Sequence, residues 1–327
     1  MGAINVDNTG SGGAITLSSD GTNLLLGGSA VGGGGADLYA ANESSPTAQP
    51  SATGANAIAI GEAATASGQD SIAIGDNSIS SATGSVGLGR LGKASGDTSL
   101  AGPTTRAMGW NAVALGISNH TSYGATADFS FAQGYQATAS GSFSVAFGSQ
   151  TISSGSYSIA LGELANATAT NSIAIGHYSS SAIIGKKAYA SGRFAAVGDA
   201  QGSTFILRSD TTDATAEAMT TNNSTAAATN QVVAASDTCI MFSGTIVAMQ
   251  NGAADQGGWQ INGLLKNDGG TTTLVNSEVR TFADGNGWSI VLSADNTNNA
   301  LKVQCTGEAS HNIRWVANIQ TSEVTYA

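Results

Sequence analysis

The chain has 327 residues, with 11 Lys and Arg against 22 Asp and Glu, so its formal net charge at pH 7 is −11. This excess of acid argues against nucleic acid and anionic lipid as partners, because both need clustered cations. Only 10% of the residues are charged and 44 are Gly. No run of eighteen apolar residues occurs, so we expect no membrane insertion by a helix.

Residues 1–50, the first predicted segment, contain short β-like runs. AITLSS and NLLLGG flank a Ser-Asp-Gly turn, and a glycine run and the loop ESSPTAQPS follow. Turn residues between short apolar runs predict β-strands followed by a flexible joint. We expect this segment to attach the chain to a larger assembly.

Residues 51–184 repeat one short phrase. AIAIG ends at Gly61, SIAIG at Gly75, SVAFG at Gly148 and SIAIG at Gly176, and most of the repeat glycines lie 14 residues apart. A fixed short period is typical of a solenoid, in which each repeat packs only against its neighbours. The sequence therefore predicts a rod of parallel strands with a corner at each glycine, where positive φ favours that residue.

Three columns of side chains precede each repeat glycine. The columns three and one residues before it are apolar, beginning with Ile58 and Ile60, and are predicted to stack as the core between turns. The column between them is small, which predicts close approach of another backbone, most simply a second or third copy of the chain. The expected subunit interface is therefore Ala59, Ala73, Ala114, Ala132, Ala146, Ala160 and Ala174.

Another column, five residues before each glycine, is aromatic in three successive turns, at Phe129, Phe143 and Tyr157. Tyr123 and Tyr135 lie nearby in the sequence, beside a four-residue insertion. Aromatic faces suit the apolar faces of sugar rings, but an aromatic ladder also stabilises neighbouring strands. These five residues are therefore a candidate ligand site, with packing alone as the alternative.

The repeated phrase resembles the YadA-like head repeat of trimeric autotransporter adhesins over about residues 55–180. The resemblance implies a left-handed parallel β-roll that assembles as a homotrimer. In a trimer one histidine from each chain can converge on the axis, so His177 at the end of the roll is a candidate ion site. The histidines have no metal-ligand spacing among themselves, and no cofactor is expected.

The period stops after the roll. Residues 185–204 are predicted to form a connector, because no new strand run begins before Phe205. Residues 205–327 then alternate apolar runs with Asn, Asp and Gly turns. This pattern predicts an antiparallel β-sandwich as the C-terminal domain.

The tryptophans and cysteines of the C-terminal segment could have either a structural or a functional role. Trp259, Trp288 and Trp315 each lie inside a strand-like run, which favours a core position over a ligand platform. Cys239 and Cys305 lie far apart, and nothing indicates an oxidising compartment. We therefore expect buried free thiols, with a disulfide as the alternative.

The stretches GDAQGSTFILRSDTTDA and SADNTNNALKVQCTGEASHNIRWVANIQTSEVTY are similar to the terminal domain of tail-fibre and other virion structural proteins of tailed bacteriophages. The sequence shows no signal peptide, heptad stalk or membrane-anchor pattern, which a self-anchoring adhesin is expected to carry. The two resemblances together predict an all-β, trimeric tail fibre or spike, a virion appendage assembled in the host cytoplasm. It is expected to attach to other virion or tail proteins through its N-terminus and to bind a host surface glycan or outer-membrane component.

Other functions fit parts of the same sequence. A capsid decoration protein, or another virion fibre that binds no receptor, would use the same rod and sandwich. A bacterial adhesin head from a longer chain is a further alternative. A polysaccharide-degrading spike needs paired carboxylates, but there are only 22 acids in 327 residues, so we expect no catalytic residues and no enzymatic activity.

Overall fold

The computed structural model describes residues 48–116, 123–252 and 255–326, together with the backbone of four short strands nearer the N-terminus. These four strands form an antiparallel sheet in chain order. Leu17 pairs with Leu26 and Ser19 with Leu24, which joins the two runs that the sequence predicts as strands. The four strands are Ile4–Val6, Ile15–Ser19, Leu24–Leu26 and Ser29–Val31.

The repeats form two parallel ladders, because each turn of the chain gives one strand to each side of the rod. The described residues are all β with no helix, which confirms the predicted solenoid. The first ladder consists of Ile58–Ile60, Ile72–Ile74, Val86–Leu88, Leu100–Ala101, Val113–Leu115, Phe131–Gln133, Val145–Ser149, Ile159–Glu163, Ile173–His177 and Lys187–Ser191. The second ladder consists of Ser51–Ala52, Thr65–Ala66, Ile79–Ser80, Lys93–Ala94, Arg106–Ala107, Gly124–Ala125, Thr138–Ala139, Ile152–Ser153, Asn166–Ala167 and Ser180–Ser181.

Most of the repeat glycines have positive φ, as predicted, although Gly116 does not, and in the later turns the glycine lies within a strand instead of at a corner. Gly75 and Gly148 have φ angles of +125° and +129°, which residues with a side chain rarely adopt. A Cβ added at Gly148 would also lie 1.8 Å from the carbonyl oxygen of Gly162 in the next turn. Neither the backbone conformation nor the space admits another residue type there.

The small column lines the inside of the roll, so its assignment to the subunit interface is wrong. Ala114 and Ala146 cluster with Ala107 and Ala139 of the second ladder. The ladders lie so close together that a Cβ at Gly87, in the same column, would be 2.8 Å from the carbonyl oxygen of Ile79. In a single chain, Ala59 of the first turn is half-buried, and the others are buried: Ala73, Ala114, Ala132, Ala146, Ala160 and Ala174.

The two apolar columns, predicted to form the core, face outward. Ile74, Leu88 and Phe147 are 39%, 37% and 48% exposed. This follows from strand geometry, because the residues on either side of an inward alanine must lie on the opposite face. We call the surface they form the apolar face: Ile58, Ile60, Ile72, Ile74, Val86, Leu88, Leu100, Val113, Leu115, Phe131, Val145, Phe147, Ile159, Leu161, Ile173 and Ile175.

The roll ends one turn later than predicted, and the expected connector contains strands. Lys187–Ser191 pairs in parallel with Ile173–His177. Ala200–Thr211 then pairs antiparallel with Lys187–Ser191. Residues 185–204 were predicted to lack strands because their sequence departs from the repeat phrase, but the preceding turn provides a template for backbone pairing that does not depend on that phrase.

A single side chain closes the end of the second ladder. The backbone N–H of Ser180, in the last strand of that ladder, donates to Oε1 of Gln201 at 2.9 Å, and Nε2 of Gln201 donates to the Ser180 carbonyl at 3.1 Å. The side-chain amide therefore makes the two hydrogen bonds that a further strand would make.

The C-terminal domain is the predicted antiparallel sandwich. Its larger sheet continues the first ladder of the roll without a break. Trp259, Trp288 and Trp315 lie in the core between the sheets at 3%, 2% and 1% exposure, which confirms their predicted position. In order from the roll, the larger sheet contains Ala200–Thr211, Ile313–Thr325, Thr238–Gln250, Gln256–Asp268 and Thr271–Asp284, and the smaller sheet contains Glu217–Ala218, Val232–Val233, Ser289–Asp295 and Ala300–Thr306.

The two cysteines are free thiols in this domain, as expected. Cys305 is buried, whereas Cys239 is only half-buried. Burial raises the pKa of the Cys305 thiol to about 12. Cys305 is therefore protonated and unreactive near neutral pH.

Candidate functional site

The roll presents two unusual surfaces, and the apolar face is the larger. Its branched and aromatic side chains lie in register from turn to turn, as Ile159 does between Val145 and Ile173. The outer side of the second ladder is mixed, with Thr65 and Lys93 at corresponding positions. Contiguous exposed apolar surface of this extent marks an interaction site in soluble proteins.

The second surface is the aromatic ladder, which we define as Trp110, Phe129, Phe143 and Tyr157. The rings of Phe129 and Phe143 are stacked with centroids 4.6 Å apart, and those of Phe143 and Tyr157 with centroids 5.0 Å apart. The ring of Trp110 packs edge-on against Phe129 at 5.0 Å. The structure therefore brings together the three predicted column residues and adds a fourth.

The backbone under the ladder is strained. Phe129, Phe143 and Tyr157 have φ angles of +55°, +58° and +58°, a region that costs an L-residue roughly 1–2 kcal/mol. In other turns the same column holds residues that tolerate this conformation better, such as Asn56 and Asp70. The same positive φ recurs at the other corner of the roll, at residues such as Leu91 and Leu164, so this conformation belongs to the repeat as a whole.

Trp110 was missed by the sequence analysis because it lies one residue before the aromatic column. Its neighbour Asn111 occupies the column position itself, with φ of +53°. The side chain of Trp110 is 53% exposed, and its ring reaches the ladder from the neighbouring position. A search of the sequence for aromatics one residue before or after the column would have found it.

Tyr123 and Tyr135 do not join the ladder. Tyr135 directly follows the repeat glycine Gly134, so the strand Phe131–Gln133 separates it from Phe129. Tyr123 is half-buried at the start of a second-ladder strand, where its carbonyl accepts the backbone N–H of Arg106. Sequence proximity placed these residues together, but the roll puts them at different corners.

His177 ends the strand Ile173–His177, one turn before the last strand of the first ladder, and has acidic and aromatic neighbours. Its Nε2 is 3.6 Å from Oε2 of Glu163, one turn earlier, and its ring packs against Tyr178 with centroids 4.1 Å apart. Within the part of the chain that the structure describes, no three His, Cys, Asp or Glu residues cluster as metal ligands. A role for His177 as an axial ion ligand stays a prediction. The described residues of the chain also contain no helix that is long and apolar enough to cross a membrane.

Three segments of the roll, residues 52–78, 125–151 and 153–179, match the family model of the YadA head domain repeat. This confirms the resemblance predicted from the repeated phrase. The matched segments amount to less than half of the chain. No curated protein matches it.

Two solved structures are similar in part. The tailspike protein of Acinetobacter phage vB_ApiP_P1 is 10% identical with a TM-score of 0.23, and the match covers 84% of this chain and 49% of the tailspike. The tailspike protein of Acinetobacter baumannii phage AM24 is 9% identical with a TM-score of 0.21, covering 82% of this chain and 50% of the tailspike. The chain thus spans about half the length of these tailspikes.

Proposed function

We propose that the protein is a trimeric structural protein of a tailed-phage virion, a tail fibre or spike that contacts the host surface. The observation that carries the proposal is the apolar face, which runs along the rod and is left uncovered by a single chain. Burial of such a surface stabilises an assembly by roughly 25 cal/mol per Å², so association of rods through this face is strongly favoured.

The match to the YadA head repeat supports three as the number of copies, since the resemblance implies a trimer. In this arrangement the large side chains meet between copies, and the alanines fill each roll. Leu88, Val145 and Leu161 then belong to the subunit interface in place of the alanine column. The trimer has its hydrophobic core between the chains, where the three apolar faces meet.

A rigid trimeric rod suits multivalent contact. Three weak sites held at fixed spacing gain avidity without any new contact, and a host surface offers repeated glycans or outer-membrane components. The N-terminal segment provides the attachment to other virion or tail proteins. The chain is made and assembled in the host cytoplasm, and its role is binding without catalysis.

Antibody labelling of native virions in the electron microscope, together with the mass of the purified protein in solution, tests this function. Label on tail appendages and a trimer mass are expected. Label over the capsid shell would make the protein a decoration protein, and a monomer would remove the proposed role of the apolar face. Incubation with host envelope tests the non-catalytic role, because released oligosaccharides would contradict it.

An adhesin head is the second candidate, favoured by the same YadA head repeat match. It shares the trimer and the rod with the first candidate, so the mass measurement supports both. The labelling experiment separates them, because a bacterial adhesin would be found on the cell surface and absent from virions.

A further inference from the structure

Stacking covers the facing ring surfaces within the run Phe129, Phe143 and Tyr157 of the aromatic ladder. The planes of Phe129 and Phe143, and those of Phe143 and Tyr157, are each within 6° of parallel. Phe143 therefore has a ring against each of its faces, and Tyr157 has Phe143 against one of them. A sugar cannot stack on every ring of the ladder, because the ring faces between Phe129, Phe143 and Tyr157 are covered by the neighbouring rings.

At one end of these three stacked rings Trp110 packs against Phe129, and at the other end the face of Tyr157 toward the next turn has no described ring against it. Exposure of the stacked rings rises along the column, from 39% for Phe129 to 46% for Phe143 and 57% for Tyr157. The column then continues with Asn171, which has a small amide in place of a ring, and with Gly185. A Cβ added at Gly185 would meet nothing closer than Thr221 at 3.8 Å, so the space beside this position is open. The side chains of the column therefore become smaller after Tyr157, and we call the resulting recess the step.

From this step we infer that Tyr157 and Asn171 form a subsite for one pyranose unit of a surface polysaccharide. The sugar occupies the place of the next ring, with its C–H face against Tyr157. The amide of Asn171 and the phenol of Tyr157 can both donate and accept hydrogen bonds, which suits neighbouring sugar hydroxyls. An apolar wall with a few polar groups is the usual composition of a small-ligand site. The inference rests on the proposed function, because it names the chemistry of the host contact.

The same column offers both a blocking variant and its matched control. Asn171 has φ of +56°, close to the +58° at which the column already accepts Phe143. Asn171→Phe therefore adds a ring that stacks on Tyr157 and fills the subsite without disturbing the roll. Asn56→Phe makes the same change at φ of +57° in the first turns of the roll, far from the ladder.

The experiment measures binding of the full trimer to an array of bacterial capsule and lipopolysaccharide oligosaccharides. The wild type and Asn56→Phe are expected to bind the same glycans, while Asn171→Phe and Tyr157→Ser bind about tenfold more weakly or worse, a loss of about 1.4 kcal/mol or more. Solution mass and melting temperature, measured in parallel, are expected to be unchanged in Asn171→Phe.

Binding that survives Asn171→Phe would overturn the subsite, as would a wild type that binds no glycan on the array. Loss of the trimer in Asn171→Phe would also overturn it, because the step would then face another copy of the chain. None of these results changes the virion labelling or the wild-type mass, so failure of the subsite is distinguishable from failure of the proposed function.

Discussion

Nζ of Lys186 donates a hydrogen bond to Oε2 of Glu323 at 2.9 Å, and both side chains are 8% exposed. Lys186 belongs to the last turn of the roll, and Glu323 to the strand Ile313–Thr325 of the C-terminal domain. Nε2 of Gln201 donates to the same carboxylate oxygen at 2.8 Å. The roll and the C-terminal domain are thus joined by a buried, hydrogen-bonded ion pair.

Lys186→Met is expected to lower the free energy of unfolding by about 3–5 kcal/mol, because it leaves the Glu323 carboxylate buried without its counter-charge. Urea denaturation measures the change. Lys187→Met is the matched control, since Lys187 is the next residue and its side chain is exposed. An equal loss in both variants would contradict the importance of the buried pair, and Glu323→Leu added to Lys186→Met should recover much of the stability.

The same pair predicts a dependence of stability on pH. Burial opposes ionisation of Glu323, but the Lys186 charge and the hydrogen bonds from Gln201 and Lys186 outweigh it, so the pKa of Glu323 lies below its ordinary value of 4.5. A depressed folded-state pKa contributes stability above the unfolded value, and this contribution is lost as the pH falls through the folded value. Unfolding free energy should therefore fall below about pH 4.5, and less steeply in Glu323→Gln. If the unfolding free energy of the wild type and of Glu323→Gln fell equally steeply with pH, the prediction for Glu323 would be wrong.

Ala146→Leu is expected to disrupt the roll itself, because Ala146 is fully buried between the two ladders. Overpacking usually costs about 1–3 kcal/mol, and here the opposite wall is backbone that cannot repack. Ala55→Leu makes the same substitution at an exposed position of the roll and serves as the control. Thermal unfolding of both variants checks the prediction, and an Ala146→Leu variant that melts at the wild-type temperature would contradict it.

Leu161→Gln is expected to weaken association of the copies while leaving each roll folded. The substitution places an amide in the apolar face, where the proposed trimer buries it. Ile152→Gln makes the same kind of change on the outer side of the second ladder, where Ile152 is 41% exposed. Analytical ultracentrifugation at decreasing concentration should show earlier dissociation of Leu161→Gln alone; equal behaviour of the two variants would place the interface elsewhere.

The two cysteines should differ in reactivity. A thiol-specific reagent at pH 8 is expected to modify one thiol per native chain, Cys239, because the raised pKa and burial of Cys305 suppress its thiolate. Both should react in denaturant. Mass spectrometry of the labelled peptides identifies the site, and fast labelling of Cys305 in the native protein would show that the domain opens readily.

The spacing of the glycines was enough to predict the roll, but not which side of each strand faces inward. The alternation of side chains along a strand defines two faces, and large apolar residues usually lie on the face that points into the protein interior. Here the rule fails because the space between the ladders holds small residues, mostly Ala, Ser and Gly with an occasional Thr, so residues such as Ile74 and Phe147 must face outward. In the proposed trimer their core lies between chains, and a single sequence carries no direct sign of it.

Contacts between distant parts of the chain could not be predicted from the sequence either. Lys186 and Glu323 are 137 residues apart, and nothing in either local pattern indicates the partner. The aromatic column was visible because it follows the period of the roll. Trp110 departs from that period by one residue, and the stacking that covers the inner ring faces depends on side-chain orientation.

The amide of Gln201 stands where another turn of the roll would begin. Every turn before it pairs only with its two neighbours, so adding or removing one 14-residue unit would change the reach of the rod by about 4.8 Å and leave both ends as they are. The length of the rod can therefore change in evolution in small equal steps, by duplication of short segments, while the C-terminal domain and its contacts with the last turn of the roll stay the same.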